Sequence, residues 1–191
     1  MVNFKELSVK LEIEEAVLRA VVDVESQGDG FLSNGEPKIL FEPHIFWKRL
    51  LAHGINPKDH VKGNEDILYP SWTQGKYGKV SEQWSRMTRA RKIHDKAALE
   101  SASYGAYQVL GTNYKSLGYN SIDEFVQDAL TEQGQTEMFI RFLKVNKLIP
   151  SLQKRNFTQF ALKYNGSAAL KNDYPKKLQH AYDVWKTKLS K

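Results

Sequence analysis

From Ile13 to Val24 the chain offers almost no polar face. Ile13, Val17, Ala20, Val21 and Val24 recur at helical spacing, and Leu18 and Val22 add apolar surface on other sides. A helix that is apolar around so much of its circumference must be wrapped by other elements. It stops in the run Glu25-Ser26-Gln27-Gly28-Asp29-Gly30, where Gly28 and Gly30 free the backbone. Glu25 then sits in the last turn of a buried helix, at the negative end of the macrodipole and among apolar neighbours. Both effects raise a carboxyl pKa. A carboxylic acid kept protonated near neutral pH can serve as a general acid; the alternative is a glutamate that points into solvent.

The elements that could wrap this helix are themselves mostly helical. Met1 to Leu11 reads as a short amphipathic helix, and Pro43 opens another through Phe46, Trp47, Leu50 and Leu51 to Gly54. Asn56 to Lys79 reads as loop, and Ser81 to about Lys96 as a basic helix. Ser121-Ile122-Asp123-Glu124 is a capping-box pattern ahead of Phe125, Val126, Ala129 and Leu130. Further helices run through Met138, Phe139, Phe142 and Leu143, from Asn156 through Tyr164, and from Pro175 along Leu178, Ala181, Tyr182, Trp185 and Leu189. Asn34-Gly35 between Phe31 and Phe41 predicts one small β-hairpin. The expected class is therefore mainly α, with that hairpin after the Glu25 helix, and the 191 residues are expected to form a single domain, 1–191.

Composition narrows the chemistry. The absence of cysteine removes disulfides and thiolate metal sites. The five histidines show no metal spacing, and no phosphate loop or dinucleotide motif is present, so neither metal nor cofactor is expected. The first residues lack an apolar signal-peptide core. A formal net charge of +6 suits polyanionic partners. The cluster Arg86, Arg89, Arg91, Lys92 and Lys96 reads as a solvated helix face, not as a nucleic-acid site. Lys171 to Lys191 carries six lysines against Asp173 and Asp183, a net of +4. That segment reads as a docked terminal helix whose lysines could also attract anionic outer-membrane or wall polymers.

Three short stretches stand out beyond the core stripes: Glu25-Ser26, then Ser103-Tyr104-Gly105-Ala106-Tyr107-Gln108, then Tyr164-Asn165-Gly166-Ser167. In this order they resemble the lysozyme superfamily, in which goose-type lysozymes and lytic transglycosylases show Glu-Ser, Gly-x-x-Gln and Tyr-Asn-x-Gly. Here the third motif lacks one residue before its glycine. The longer patterns Val24-Glu25-Ser26-x-Gly28-x-Gly30-Phe31, Ile39-Leu40-Phe41-Glu42-Pro43-His44-x-Phe46 and Ser103-Tyr104-Gly105-x-x-Gln108 resemble the N-acetylmuramidase family of bacteriophage endolysins, from about Ala16 to Trp185.

That resemblance implies a lysozyme-like helical fold and cleavage of the β-1,4 bond between N-acetylmuramic acid and N-acetylglucosamine in peptidoglycan, with Glu25 as the acid. It also implies synthesis in a host cytoplasm and action in the periplasm after release; a monomer is expected. Ser26, Tyr104, Gln108, Tyr164 and Asn165 are the candidate substrate-binding residues, because tyrosine faces and side-chain amides suit sugar rings and N-acetyl groups. Gly105 would let backbone approach a sugar. Glu42 is the candidate accessory acid, with a structural helix-start role as the alternative. Two other outcomes stay open: a lytic transglycosylase leaving anhydro-muramic ends, and a non-catalytic cationic module that binds walls or membranes.

Overall fold

The structure, a computed structural model, describes residues 2–26, 30–72, 77–166 and 173–191. Expectations resting on Gln27, Gly28, Asp29, Ser167 and Lys171 lie outside the described residues, as does the side chain of Asn165. In chain order the elements are α1 (Phe4–Leu11), α2 (Glu15–Glu25), β1 (Ile39–Phe41), α3 (Pro43–Ala52), α4 (Gln83–Ile93), α5 (Asp95–Glu100), β2 (Ala102–Tyr104), β3 (Val109–Leu110), α6 (Ile122–Ala129), α7 (Glu132–Val145), α8 (Ile149–Gln153), α9 (Phe157–Asn165) and α10 (Tyr174–Leu189). The chain is mainly α with a small antiparallel sheet, the class its sequence predicts. It divides into two compact units, Met1–Asp29 with Phe139–Lys191, and Gly30–Met138. No helix among the described residues is long and apolar enough to cross a membrane.

The first unit is built around α2. Ala16, Val17, Leu18, Ala20 and Val21 are buried, and so is Ile13 just ahead of the helix. α1 and α10 pack against this helix. Even its polar side chains are taken up. Arg19 pairs with Glu15 at 2.8 Å and lies between the rings of Phe4 and Trp185, 4.6 and 4.8 Å from their centroids. The Trp185 indole N–H donates to Asp23 at 2.5 Å, and the Tyr182 hydroxyl donates to Glu14 at 3.0 Å. The stripe of α10 is used only in part. Leu178 and Tyr182 are buried, Trp185 is half-buried, and Leu189 is 45% exposed. The reason is length: α10 has 16 residues and α2 has 11, so about 7 Å of α10 outruns the helix it packs on.

In the second unit the sheet differs from expectation. The turn at Asn34-Gly35 forms, with Gly35 at φ +83, but it closes only a single bridge between Phe31 and Pro37. β1 instead pairs antiparallel with β2, Ile39 opposite Tyr104 and Phe41 opposite Ala102, and β2 pairs with β3. The expected helix from Ser81 to Lys96 is also broken. His94 is extended, and its Nδ1 accepts the Ala97 N–H at 3.1 Å, which ends α4 and caps α5. Nor is the basic face simply solvated. Arg86 is buried and donates to the Asp66 carbonyl at 2.5 Å, Arg89 forks onto the Asp66 carboxylate at 2.6 and 3.0 Å, and Arg91 pairs with Asp95 at 2.5 Å.

The turn between β2 and β3 is fixed from a distance. Gly105 and Gln108 both have positive φ, +72 and +49. Gln135, buried at the start of α7, accepts the Ala106 N–H at 2.8 Å and donates to the Ala129 carbonyl at 2.8 Å and the Gly30 carbonyl at 3.4 Å. A Cβ on Gly105 would lie 2.4 Å from the Gln135 amide carbon, and one on Gly30 2.1 Å from its oxygen. Both glycines leave room for this amide. Replacing Gln135 with Ala strands a buried N–H and a buried carbonyl, each costing about 1–3 kcal/mol. Urea unfolding of Gln135→Ala is therefore expected to show a loss of roughly 2–6 kcal/mol with an unchanged slope.

Candidate active site

Glu25 is the last residue of α2, whose final turn contains no basic side chain. Ser26 leaves the helix in an extended conformation, and its N–H closes the last turn on the Val22 carbonyl at 2.8 Å. The expected substrate-binding Ser26 is thus the residue that caps the helix beneath Glu25. The Glu25 carboxyl is largely withdrawn from water, and two phenols reach it. Tyr174, first residue of α10, donates to Oε1, and the hydroxyl of Tyr164, on α9, also donates to the carboxyl. Burial pushes the Glu25 pKa up to about 8, while the Tyr164 bond pulls the other way. Near neutral pH this residue is predominantly a carboxylic acid.

Tyr164 is held by aromatics on three sides. Phe160 stacks on it at 5.5 Å, and Phe139 and Phe142 meet it edge-on at 6.2 and 5.8 Å. Its ring is packing and its hydroxyl serves Glu25, so it is a partner of the acid and not an open platform for a sugar. Asn165 ends α9, and the structure describes only its backbone.

The second motif does not line a cleft in the way the sequence predicts. Tyr104 is 1% exposed on β2, donates to the Leu99 carbonyl at 2.9 Å, and meets the edge of Phe125 at 5.6 Å. Burial drives its phenol far above the usual range. It is a core residue of the second unit, because a strand in the middle of a sheet turns that side chain inward. The space above Gly105 is filled by the Gln135 amide, not left open for a sugar. Gln108 is half-buried, and its amide donates to the Gly105 carbonyl at 2.8 Å.

Glu42 stands at the N-terminal boundary of α3, but its side chain does not cap that helix. Its carboxylate accepts from the Tyr77 hydroxyl at 3.5 Å and lies 3.8 Å from Nε2 of His44. Burial, followed by the Glu42 charge, pushes the Tyr77 phenol up to about 12. Another carboxylate, Glu100, is nearly fully buried and held by Arg49 at 2.6 Å and His53 at 2.9 Å. Among the described residues no group of three His, Cys, Asp or Glu could hold a metal ion. Sequence reasoning missed Tyr174, Tyr77 and Gln135. Tyr174 acts across 149 residues and precedes an ordinary helix-starting proline, so no local pattern marks it.

A buried acid at the end of a wrapped helix, held by two phenols, can keep a proton near neutral pH and donate it. The comparisons are specific. The N-acetylmuramidase family profile matches residues 14–186. The endolysin of Burkholderia AP3 phage, known from a crystal structure, superposes with a TM-score of 0.87 at 32% identity, over 96% of this chain and 70% of that one. No curated protein matches the sequence. The chain belongs to the N-acetylmuramidase family, whose members degrade peptidoglycan.

The raised pKa carries a stability consequence. Unfolded Glu25 ionises near 4.5 and folded Glu25 near 8. The folded state therefore binds the proton more tightly. The stability this confers is complete below the unfolded value and is lost as pH rises through the folded one. Glu25→Gln cannot ionise. Its melting temperature is expected to match wild type at pH 4 and to exceed it at pH 9, by roughly 2–4 °C for each kcal/mol relieved.

Proposed function

We propose that this protein is a muramidase that hydrolyses the β-1,4 bond between N-acetylmuramic acid and N-acetylglucosamine, with Glu25 as general acid. The observation that carries the reading is the desolvated Glu25 carboxyl, protonated up to about pH 8 and gripped by hydroxyl donors. Glycosidic cleavage needs a proton at the leaving oxygen and support for an oxocarbenium-like centre. Glu25 supplies the first. Glu42, half-buried and hydrogen-bonded by Tyr77, is the candidate for positioning water or supporting the cation. Gln108 and Asn165 remain the candidate amides for substrate N-acetyl groups. The family and the AP3 endolysin support an endolysin; synthesis in a host cytoplasm and action on the periplasmic wall are part of this proposal. In that setting the exposed Lys176, Lys177, Lys186 and Lys188 of α10 attract anionic wall or outer-membrane polymer, while Leu178 and Tyr182 stay packed in the first unit.

Folded Glu25→Gln is expected to turn over purified peptidoglycan about 100- to 10,000-fold more slowly than wild type. Near-normal turnover would remove Glu25 from the mechanism. Mass spectrometry of the wild-type digest is expected to show reducing muramic ends; anhydro ends would place the chemistry with the transglycosylases. Changing the four α10 lysines to glutamine is expected to reduce killing of Gram-negative cells and to leave cleavage of soluble glycan fragments nearly unchanged. Added salt should reproduce the loss, since exposed charges are screened over ~8 Å at physiological ionic strength. Equal killing at low salt would leave these lysines without that role.

A further inference from the structure

We propose that Tyr174 is a positioning residue for Glu25, fixing the carboxyl through Oε1 and stabilising the negative charge that forms on it when it gives up its proton. The proposal rests on the reading of Glu25 as general acid and extends it to a residue that no motif marks. The geometry is direct. Tyr174 is half-buried at the first position of α10, and its hydroxyl donates to Glu25 Oε1 across 149 residues of sequence. α10 is locked to α2 independently, by Trp185 on Asp23, by Tyr182 on Glu14, and by Leu178 in the core. Tyr174 is thus delivered by a helix already anchored elsewhere, so holding the hydroxyl in place costs little additional order.

The charged groups nearby are engaged with other partners. Asp173, beside Tyr174, is paired with Lys176 at 2.8 Å. On α2, Asp23 is occupied by Trp185; from α9 the group facing Glu25 is the second phenol, Tyr164. Burial opposes ionisation of Glu25, and phenol donors favour it. In the reaction the Glu25 proton passes to the bridging oxygen, the C1–O bond breaks with its electron pair going to that oxygen, and water adds to C1 and releases its second proton to solvent, from which Glu25 is later reprotonated. Until then Glu25 is a carboxylate in a dry site. A hydrogen bond to a charged acceptor is about twice as strong as one to a neutral acceptor. Tyr174 therefore stabilises the group more after proton transfer than before it, which lowers the barrier without tightening substrate binding.

The test is the titration of the Glu25 side-chain carboxyl, followed by ¹³C NMR in wild type, Tyr174→Phe, and a protein with 3-fluorotyrosine at position 174. Loss of the hydroxyl should raise the midpoint from about 8 by roughly one to two pH units, and the more acidic fluorophenol, a stronger donor, should lower it. The alkaline limb of kcat/KM should follow in the same directions. In Tyr174→Phe, kcat should fall about 10- to 100-fold with KM nearly unchanged. A structural role alone would not move the midpoint in opposite directions, and if Tyr174→Phe does not fold, the fluorotyrosine arm decides. An unmoved midpoint, with Glu25→Gln inactive, overturns the proposal and leaves Glu25 as the acid. A shifted midpoint with full turnover by Glu25→Gln overturns the reading of Glu25 and the proposal with it.

Discussion

The need to bury the apolar face of α2, from Ala16 to Val21, governs the first unit. Its apolar circumference demands neighbours on several sides, and α1 and α10 provide them. Of the two carboxylates in the final turn of α2, Asp23 stays exposed, whereas Glu25 is largely withdrawn from water, with no basic side chain in that turn to replace it. The acid is a by-product of the packing. A helix that ended one turn earlier, or that carried a lysine in its last turn, would deliver an ordinary glutamate.

Among the described residues Glu100, Glu42 and Glu25 are each treated differently. Glu100 is nearly fully buried but faces Arg49 and His53, so its charge is matched in place. Glu42 keeps partial contact with solvent and takes a long bond from Tyr77. Glu25 has phenols where Glu100 has a guanidinium. A guanidinium would fix the ionised form, whereas a phenol binds either form and favours the charged one only moderately. That difference lets a group be dry and still release a proton. Burial raises the phenol of Tyr77 to about 12, so that hydroxyl stays a donor to Glu42.

Much of the helical frame is legible because helical periodicity is local. Asn156, Ser121 and Pro175 mark helix starts through their own chemistry, and Glu25 is visible because a run of apolar residues leads into it. The misreadings share a cause. Tyr104 belongs to a strand of three residues, too short to show alternation, and the same Ser-Tyr-Gly can be read as a cleft wall or as core. The break at His94 depends on a ring nitrogen capturing the Ala97 N–H, a choice that helical spacing does not encode. Gln135 and Tyr174 do their work with partners 29 and 149 positions away, and only a folded chain brings these together.

The arginines and lysines are sorted in a way that bears on the proposed attraction to an anionic polymer. Arg19 is sandwiched between rings, Arg49 serves Glu100, Arg86 and Arg89 hold Asp66, Arg91 holds Asp95, and Arg155 reaches Tyr182. These arginines are thus engaged within the protein, and the charge of α10 is carried by lysine, with Lys176 also paired to Asp173 and Lys186 donating to Tyr182. Lysine is a hydrated point charge on a flexible stem and imposes little geometry on its partner. Contact with a polyanion through such groups is loose, without register, and readily broken and remade. An enzyme held this way can drift along a polymer mesh while staying near it, instead of being parked at one anionic group.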